Sequence, residues 1–185
     1  MKIILQVSLI CFGCVYFLFL QSCKKNAVGK DDDLKARFEG KYKIIKAVAD
    51  RSVDLNLDGS ASSNLMSEIP NLEKVYLDLR VNKKTGPSIY SQLWPNQFLS
   101  TPDPSGAVYV NFANQATGAT FSIDLENMKL NVFRDRPDPS FPLPLSVSIL
   151  PNNRLKIIME KNIYTPDGWS KVHVEVEYER FRTEL

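Results

Sequence analysis

The sequence predicts an all-β domain: an antiparallel up-and-down barrel or a sandwich of eight or nine strands, with one short helix. Three observations carry this. Beyond residue 37, apolar and polar residues alternate with period two, the signature of strands with one buried face. Turn-forming clusters separate the runs, and connections this short make antiparallel neighbours. Only Ser62 to Ile69 carries a helical pattern, with Ser62 or Ser63 as its N-cap.

The runs follow in order. Tyr42, Ile44 and Val48 share one face of the first. Val75, Leu77, Leu79 and Val81 share a face of the next, with Lys74, Asp78 and Arg80 opposite. The pattern repeats at Val108, Val110 and Phe112, at Phe121, Ile123 and Leu125, and at Met128, Leu130 and Val132. It continues at Leu145, Val147 and Ile149, then at Leu155, Ile157 and Met159. Val172, Val174, Val176 and Tyr178 end the series, with His173, Glu175, Glu177 and Glu179 facing water. Hairpin turns are predicted at Asn82 to Gly86, Asn114 to Gly118, Pro151 to Asn153 and Thr165 to Gly168. Pro-Asp-Pro-Ser occurs at Pro102 to Ser105 and again at Pro137 to Ser140. The second copy sits in a proline-rich stretch, Arg136 to Pro144, which is a loop or a strand-edge crossing because proline cannot donate to a ladder.

The N-terminus has a different character. Lys2 precedes an apolar run from Ile3 to Leu20, and Leu20-Gln21-Ser22-Cys23 closes it. A short basic start, an apolar middle and a small residue before the cut make a secretory signal. With cysteine next, the segment resembles a bacterial lipoprotein signal. That resemblance implies removal of residues 1–22 and acylation of Cys23, with palmitate among the acyl chains. More than one chain holds a protein stably to a bilayer. An uncut anchor is the other reading, since the run approaches the lower limit for a spanning helix. Lys24 rather than Asp after Cys23 implies, by the same resemblance, an outer-membrane location, facing the periplasm or the cell surface. Residues 23–36 are polar and aperiodic, a flexible tether to a domain at residues 37–185.

Composition excludes several classes. Cys11 and Cys14 leave with the signal and Cys23 is modified, so the mature domain has no disulfide or thiolate metal site. Loss of Lys2 leaves 22 basic against 21 acidic residues, net +1, which makes no case for nucleic acid.

Phe38-Glu39-Gly40-Lys41-Tyr42-Lys43-Ile44 is similar to the opening of lipocalin-like domains, with Tyr42 in place of the tryptophan of a Gly-x-Trp entry. With the signal, and with Val53-Asp54-Leu55-Asn56-Leu57-Asp58-Gly59 after the first strand, the chain resembles the lipocalin-like lipoproteins of Gram-negative bacteria. The motifs cover the opening third; beyond it the likeness rests on strand count. No Thr-Asp-Tyr-like motif and no helix after the last strand accompany them. The resemblance implies an antiparallel barrel with an interior apolar site and no catalysis. It also implies an arginine, Arg180 or Arg182, packed over the entry aromatic.

Asp54-x-Asn56-x-Asp58-Gly59-Ser60-x-Ser62 matches the front of a calcium loop, with side-chain oxygens alternating and Gly59 allowing the sharp turn. The twelfth position is Leu65 rather than glutamate; Asn64 and Glu68 are nearby substitutes. Such a site binds weakly, on the order of 10⁻⁴ to 10⁻³ M. A polar turn held by Asx hydrogen bonds is the other reading. His173, the only histidine, alternates with glutamates on an outer face, so no triad is indicated. Glu175, Glu177 and Glu179 make a solvated stripe, with protection of a sheet edge as one use.

The chain is therefore expected to be a non-catalytic envelope lipoprotein. Its barrel would bind a small apolar ligand, lined by Leu77, Val110, Phe121, Leu130 and Val174. Large inward side chains favour a filled core instead. The alternative is an interaction module for protein or glycan, using Arg136 to Pro144 or Trp94 to Gly106. Tyr90, Trp94, Phe98 and Tyr109 lie in or beside the third and fourth strands and serve either reading.

Overall fold

The computed structural model describes residues 29–82, 86–100 and 108–182. The signal, Cys23, the first Pro-Asp-Pro-Ser and most of the Asn82–Gly86 turn lie outside them. The chain divides into two compact units, Met1–Asp32 and Asp33–Leu185, and the second is the β domain. A helix, α1 (Gly29–Phe38), leads into β1 (Gly40–Val53). β2 (Ser62–Asn64), the one-turn α2 (Leu65–Glu68), β3 (Tyr76–Arg80), β4 (Ser88–Ser100) and β5 (Tyr109–Asp124) follow. β6 (Lys129–Phe133), β7 (Ser146–Ile149), β8 (Leu155–Thr165) and β9 (Gly168–Arg182) complete the order. β3 to β9 pair antiparallel in sequence, and β1 closes the circle between β3 and β9. The result is an eight-stranded, up-and-down, lipocalin-like barrel with β2 as an extra strand on β1.

The barrel interior is filled. Tyr42, Leu77, Leu79, Tyr90, Leu155, Ile157 and Tyr178 are fully buried. Gln92 lies among them and resolves the polar ends: the Tyr90 hydroxyl donates to Gln92 Oε1 (2.7 Å), and Gln92 Nε2 donates to the Tyr178 hydroxyl oxygen (2.9 Å). Buried polar groups are tolerated when partnered in this way. Burial raises the pKa of all three tyrosines, Tyr42 to about 12. One end is plugged by Phe38, whose carbonyl accepts from the Tyr42 hydroxyl (2.8 Å). Arg180 lies opposite Tyr42 in the β1–β9 pairing and donates from Nη1 to the carbonyls of Ala36, Arg37 and Glu39. Of the two arginines expected near the entry aromatic, Arg180 is the one paired beside Tyr42, and Arg182 is paired with Lys41. The Arg180 guanidinium satisfies carbonyls that the end of a helix leaves open.

Several expectations change. The segment assigned to a flexible tether is helical from Gly29, and its end is tied down by Arg180 and by Arg37 Nε donating to Asn153 Oδ1 (2.7 Å). The central helix shrinks to Leu65–Glu68, with Asn64 as N-cap, because Ser62–Asn64 pairs with β1. Val48 does not share the face of Ile44. A register shift between Ile44 and Lys46 turns Ala47 and Ala49 inward instead.

Asn114–Gly118 is not a hairpin: β5 runs through it, paired to β4 throughout, from Pro95↔Asn114 to Ser91↔Gly118. The turn after β5 falls at 125–128, where Met128 takes φ 52° and an exposed position rather than a core one. The alternation also passes over β4, where polar Gln92 and Pro95 interrupt the apolar run. Two strands, β2 and β4, are passed over and β5 is counted twice, which gives eight runs for the nine strands. The turns at Pro151–Asn153 and Thr165–Gly168 form as expected, the first through Asn152 and Asn153 at positive φ.

Asp78 lies on the outer face opposite Lys41 but is buried. The glutamate stripe protects no edge, since β9 is paired on both sides. Its members form cross-strand pairs, Lys46 with Glu175 and Glu177 and Lys156 with Glu175. Exposed pairs of this kind contribute little to stability.

Candidate functional site

At the end of the barrel away from α1, the fill gives out. The inward positions of β1 there are alanines, and Ala49 leaves room beside Val172 and Val174 of β9. Leu55, Leu65 and Ile69 roof one side, and Trp94 and Phe112 the other. The empty space is about 370 Å³ with its mouth included, but inside it only about 20 Å³ admits a water-sized sphere. The first figure counts open solvent at the mouth, and the enclosed part is far smaller than the roughly 300–1,000 Å³ of ligand pockets. The second means that an occupant must displace side chains on entry.

The roof has an identifiable fastening. β3 pairs with β4 only as far as Gln92, and β6 pairs with β5 only from Thr120 onward. Beyond these limits β4 and β5 continue as a two-stranded ribbon. Opposite each other, at Pro95 and between Phe112 and Gln115, the buried phase of both strands switches. Gln97 then faces the barrel mouth, where Nε2 donates to the carbonyls of Leu55 (2.9 Å) and Tyr164 (3.0 Å) and Oε1 accepts from Tyr164 N–H (2.7 Å). One amide side chain thus ties the ribbon to β8 and to the loop after β1. On the ribbon's other face Phe98 and Tyr109 are exposed.

Lys161 is the residue that sequence reasoning missed. Leu155, Ile157 and Met159 point inward along β8, and Lys161 and Ile163 hold the next two inward positions. A charge on an apolar alternation was the available signal. Its Nζ lies 5.3 Å from the centroid of the Trp94 ring. Among the described residues no carboxylate reaches it. Burial lowers its pKa from 10.5 to about 8. Between these values the unfolded chain holds a proton that the folded chain has released, so this residue makes stability rise with pH from about 8 to 10.5. Lys161→Met is expected to be more stable than the parent below pH 8, by about 2 kcal/mol after allowing for partial exposure. The gap should close by pH 10.5. Ionisation of the core tyrosines above pH 10 lowers both proteins alike and cancels in the difference. Urea denaturation at pH 7 and pH 10 checks this; a pH-independent gap would assign the effect to packing.

Of the five residues expected to line a ligand site, only Val174 reaches this pocket. Leu77, Phe121 and Leu130 are buried in the filled core, and Val110 is half-buried on the ribbon. The correction has a simple cause: alternation identifies inward positions but not the level of the barrel at which packing fails.

The calcium loop is occupied by its own backbone. Asp54 accepts from the N–H groups of Asp58 (3.1 Å) and Gly59 (2.9 Å). Asn56 Oδ1 accepts from Asp58 N–H, and Asp58 Oδ1 from Ser60 N–H. Ser62 Oγ accepts from Asn64 N–H. Glu68 is buried and accepts from Leu55 N–H (2.9 Å), while burial raises its pKa. Among the described residues no three His, Cys, Asp or Glu side chains are grouped to hold a metal ion. Of the residues expected to hold calcium (Asp54, Asn56, Asp58, Ser60 and Ser62), Asp54, Asn56, Asp58 and Ser62 here accept backbone N–H groups, the arrangement of an Asx-rich turn over the barrel end. Asp54→Ala should cost about 1–3 kcal/mol in urea denaturation, because two N–H groups lose their acceptor. A change below 0.5 kcal/mol, roughly the scale of a neutral surface substitution, would show that water replaces it fully.

His173 is exposed on the outer face, as expected, with Nδ1 3.3 Å from Asp50 Oδ2. Trp169 is exposed at the β8–β9 turn, edge-on to Tyr164. The proline-rich loop is held to β5 by Arg134, which donates to the carbonyls of Gly118 and Phe141. Among the described residues no helix is long and apolar enough to cross a membrane.

Fold and site together define a closed antiparallel β-barrel with a small end pocket and a lysine in that pocket's wall. No protein-family model, curated protein or solved structure matches the chain.

Proposed function

We propose that this chain is a lipid-anchored protein of the bacterial outer membrane, facing periplasm or surface, whose barrel binds a small apolar ligand without catalysing a reaction. The end pocket carries this reading. There Ala49 stands at an inward position beside Val172 and Val174, and Gln97 ties the β4–β5 ribbon over the opening to Leu55 and Tyr164. The anchor rests on the Leu20-to-Cys23 motif, together with the lipocalin-like opening at Phe38 to Ile44. Native mass spectrometry of the full chain, purified in neutral detergent from a Gram-negative host, tests the binding. A co-purified apolar mass that Ala49→Phe eliminates supports it; the bare protein mass in every preparation counts against it. Cys23→Ala should shift the chain out of the membrane fraction, and retention there would identify an uncut anchor.

A second reading is an interaction module, favoured by the exposed Phe98 and Tyr109 on the outer face of the β4–β5 ribbon. Phe98→Ser with Tyr109→Ser would then abolish capture of a protein or glycan partner while leaving the ligand mass unchanged.

A further inference from the structure

We infer that the end pocket takes an amphiphile with an acidic head group, and that Lys161 is the counter-ion for that head. This deepens the binding reading above and rests on it. The geometry separates tail from head. The side chains of Leu55, Ile69, Phe112 and Val174 offer only carbon, and an apolar tail enters by displacing them, since the enclosed space is only about 20 Å³. Lys161 alone brings charge into the lining, and Asn96 and Gln97 bring amides beside it.

The ammonium has no anion of its own. The described ion pairs on the neighbouring strands involve outward-facing residues, such as Lys171 with Glu160 and Lys156 with Glu175. Lys161 has the π face of Trp94 instead, and its perturbation comes from burial with no charged neighbour contributing. A partly buried cation without a partner carries a desolvation cost, and an anion delivered beside it lowers that cost. A neutral ligand leaves it in place, and a cationic ligand doubles the charge. The site therefore discriminates by head-group charge where the apolar lining cannot.

Three ligands with one tail test this: octanoate, octanol and octylammonium. Each is titrated calorimetrically into the full chain in neutral detergent, with detergent alone as blank. Octanoate is expected to bind roughly ten- to a hundredfold more tightly than octanol at pH 7, the scale of one hydrogen bond to a charged group. Octylammonium is expected to bind most weakly. The octanoate advantage should decline as pH rises above about 8, where the free pocket loses its proton. Lys161→Met should remove the advantage and retain octanol binding; if that variant does not fold, Lys161→Gln serves. Equal binding of octanoate and octanol to the parent, or an advantage that survives loss of Lys161, overturns the inference while the apolar site stands. No binding of any of the three overturns both.

Discussion

Gly40→Ala is expected to destabilise the barrel by on the order of 3–5 kcal/mol, the largest effect of any single substitution considered. Two penalties coincide. Gly40 has φ +139°, a conformation that side-chain-bearing residues rarely adopt, and a methyl group there would meet the Arg182 carbonyl oxygen at 2.2 Å. That oxygen belongs to β9, so relief requires β1 and β9 to part at the seam that closes the barrel. Gly40 sits at this point because the chain turns directly from α1 into β1 after Phe38. Gly118→Ala is the control. A methyl group there meets nothing within 4 Å, and the residue lies inside a strand, where alanine is favoured over glycine. Urea denaturation of both variants checks the contrast. A Gly40→Ala cost below about 1 kcal/mol would mean that β9 yields freely at its end.

Gln92→Leu is expected to cost about 2–5 kcal/mol although leucine is more apolar. The substitution leaves the Tyr90 hydroxyl without its acceptor and the Tyr178 hydroxyl without its donor, both in a fully buried setting. Removing both hydroxyls, with Tyr90→Phe and Tyr178→Phe added to Gln92→Leu, should recover more than half of the loss, since an apolar replacement of all partners is nearly neutral. Thermal and urea denaturation of the single and triple variants test this. A triple variant no better than the single one would place the loss in shape rather than in hydrogen bonding.

The two predictions mark where local pattern informs and where it does not. Tyr42, Leu77, Leu79, Leu155, Ile157, Val174 and Tyr178 are legible as core from alternation alone, because successive side chains on a strand point to opposite faces. The Thr165–Gly168 and Pro151–Asn153 turns are legible for a similar reason: Gly168, Asn152 and Asn153 tolerate positive φ whatever surrounds them. Asn114–Gly118 carries the same residue types and yet lies within β5. There thirteen residues of β4 stand alongside, and pairing with them outweighs the local preference for a turn.

The chain's own sequence determined the all-β class, the antiparallel order and most of the core, since these depend on periods and turns within a few residues. Tertiary structure alone decided what the inward positions face. Gln92 is inside because two tyrosines from β4 and β9 meet its amide, and Lys161 is inside because β8 keeps its phase into the roofed end. The pocket exists because a register shift turns Ala49 toward Val174 across the barrel wall. Each of these requires strands distant in sequence to be brought together, and pairwise closure of the barrel supplies that information.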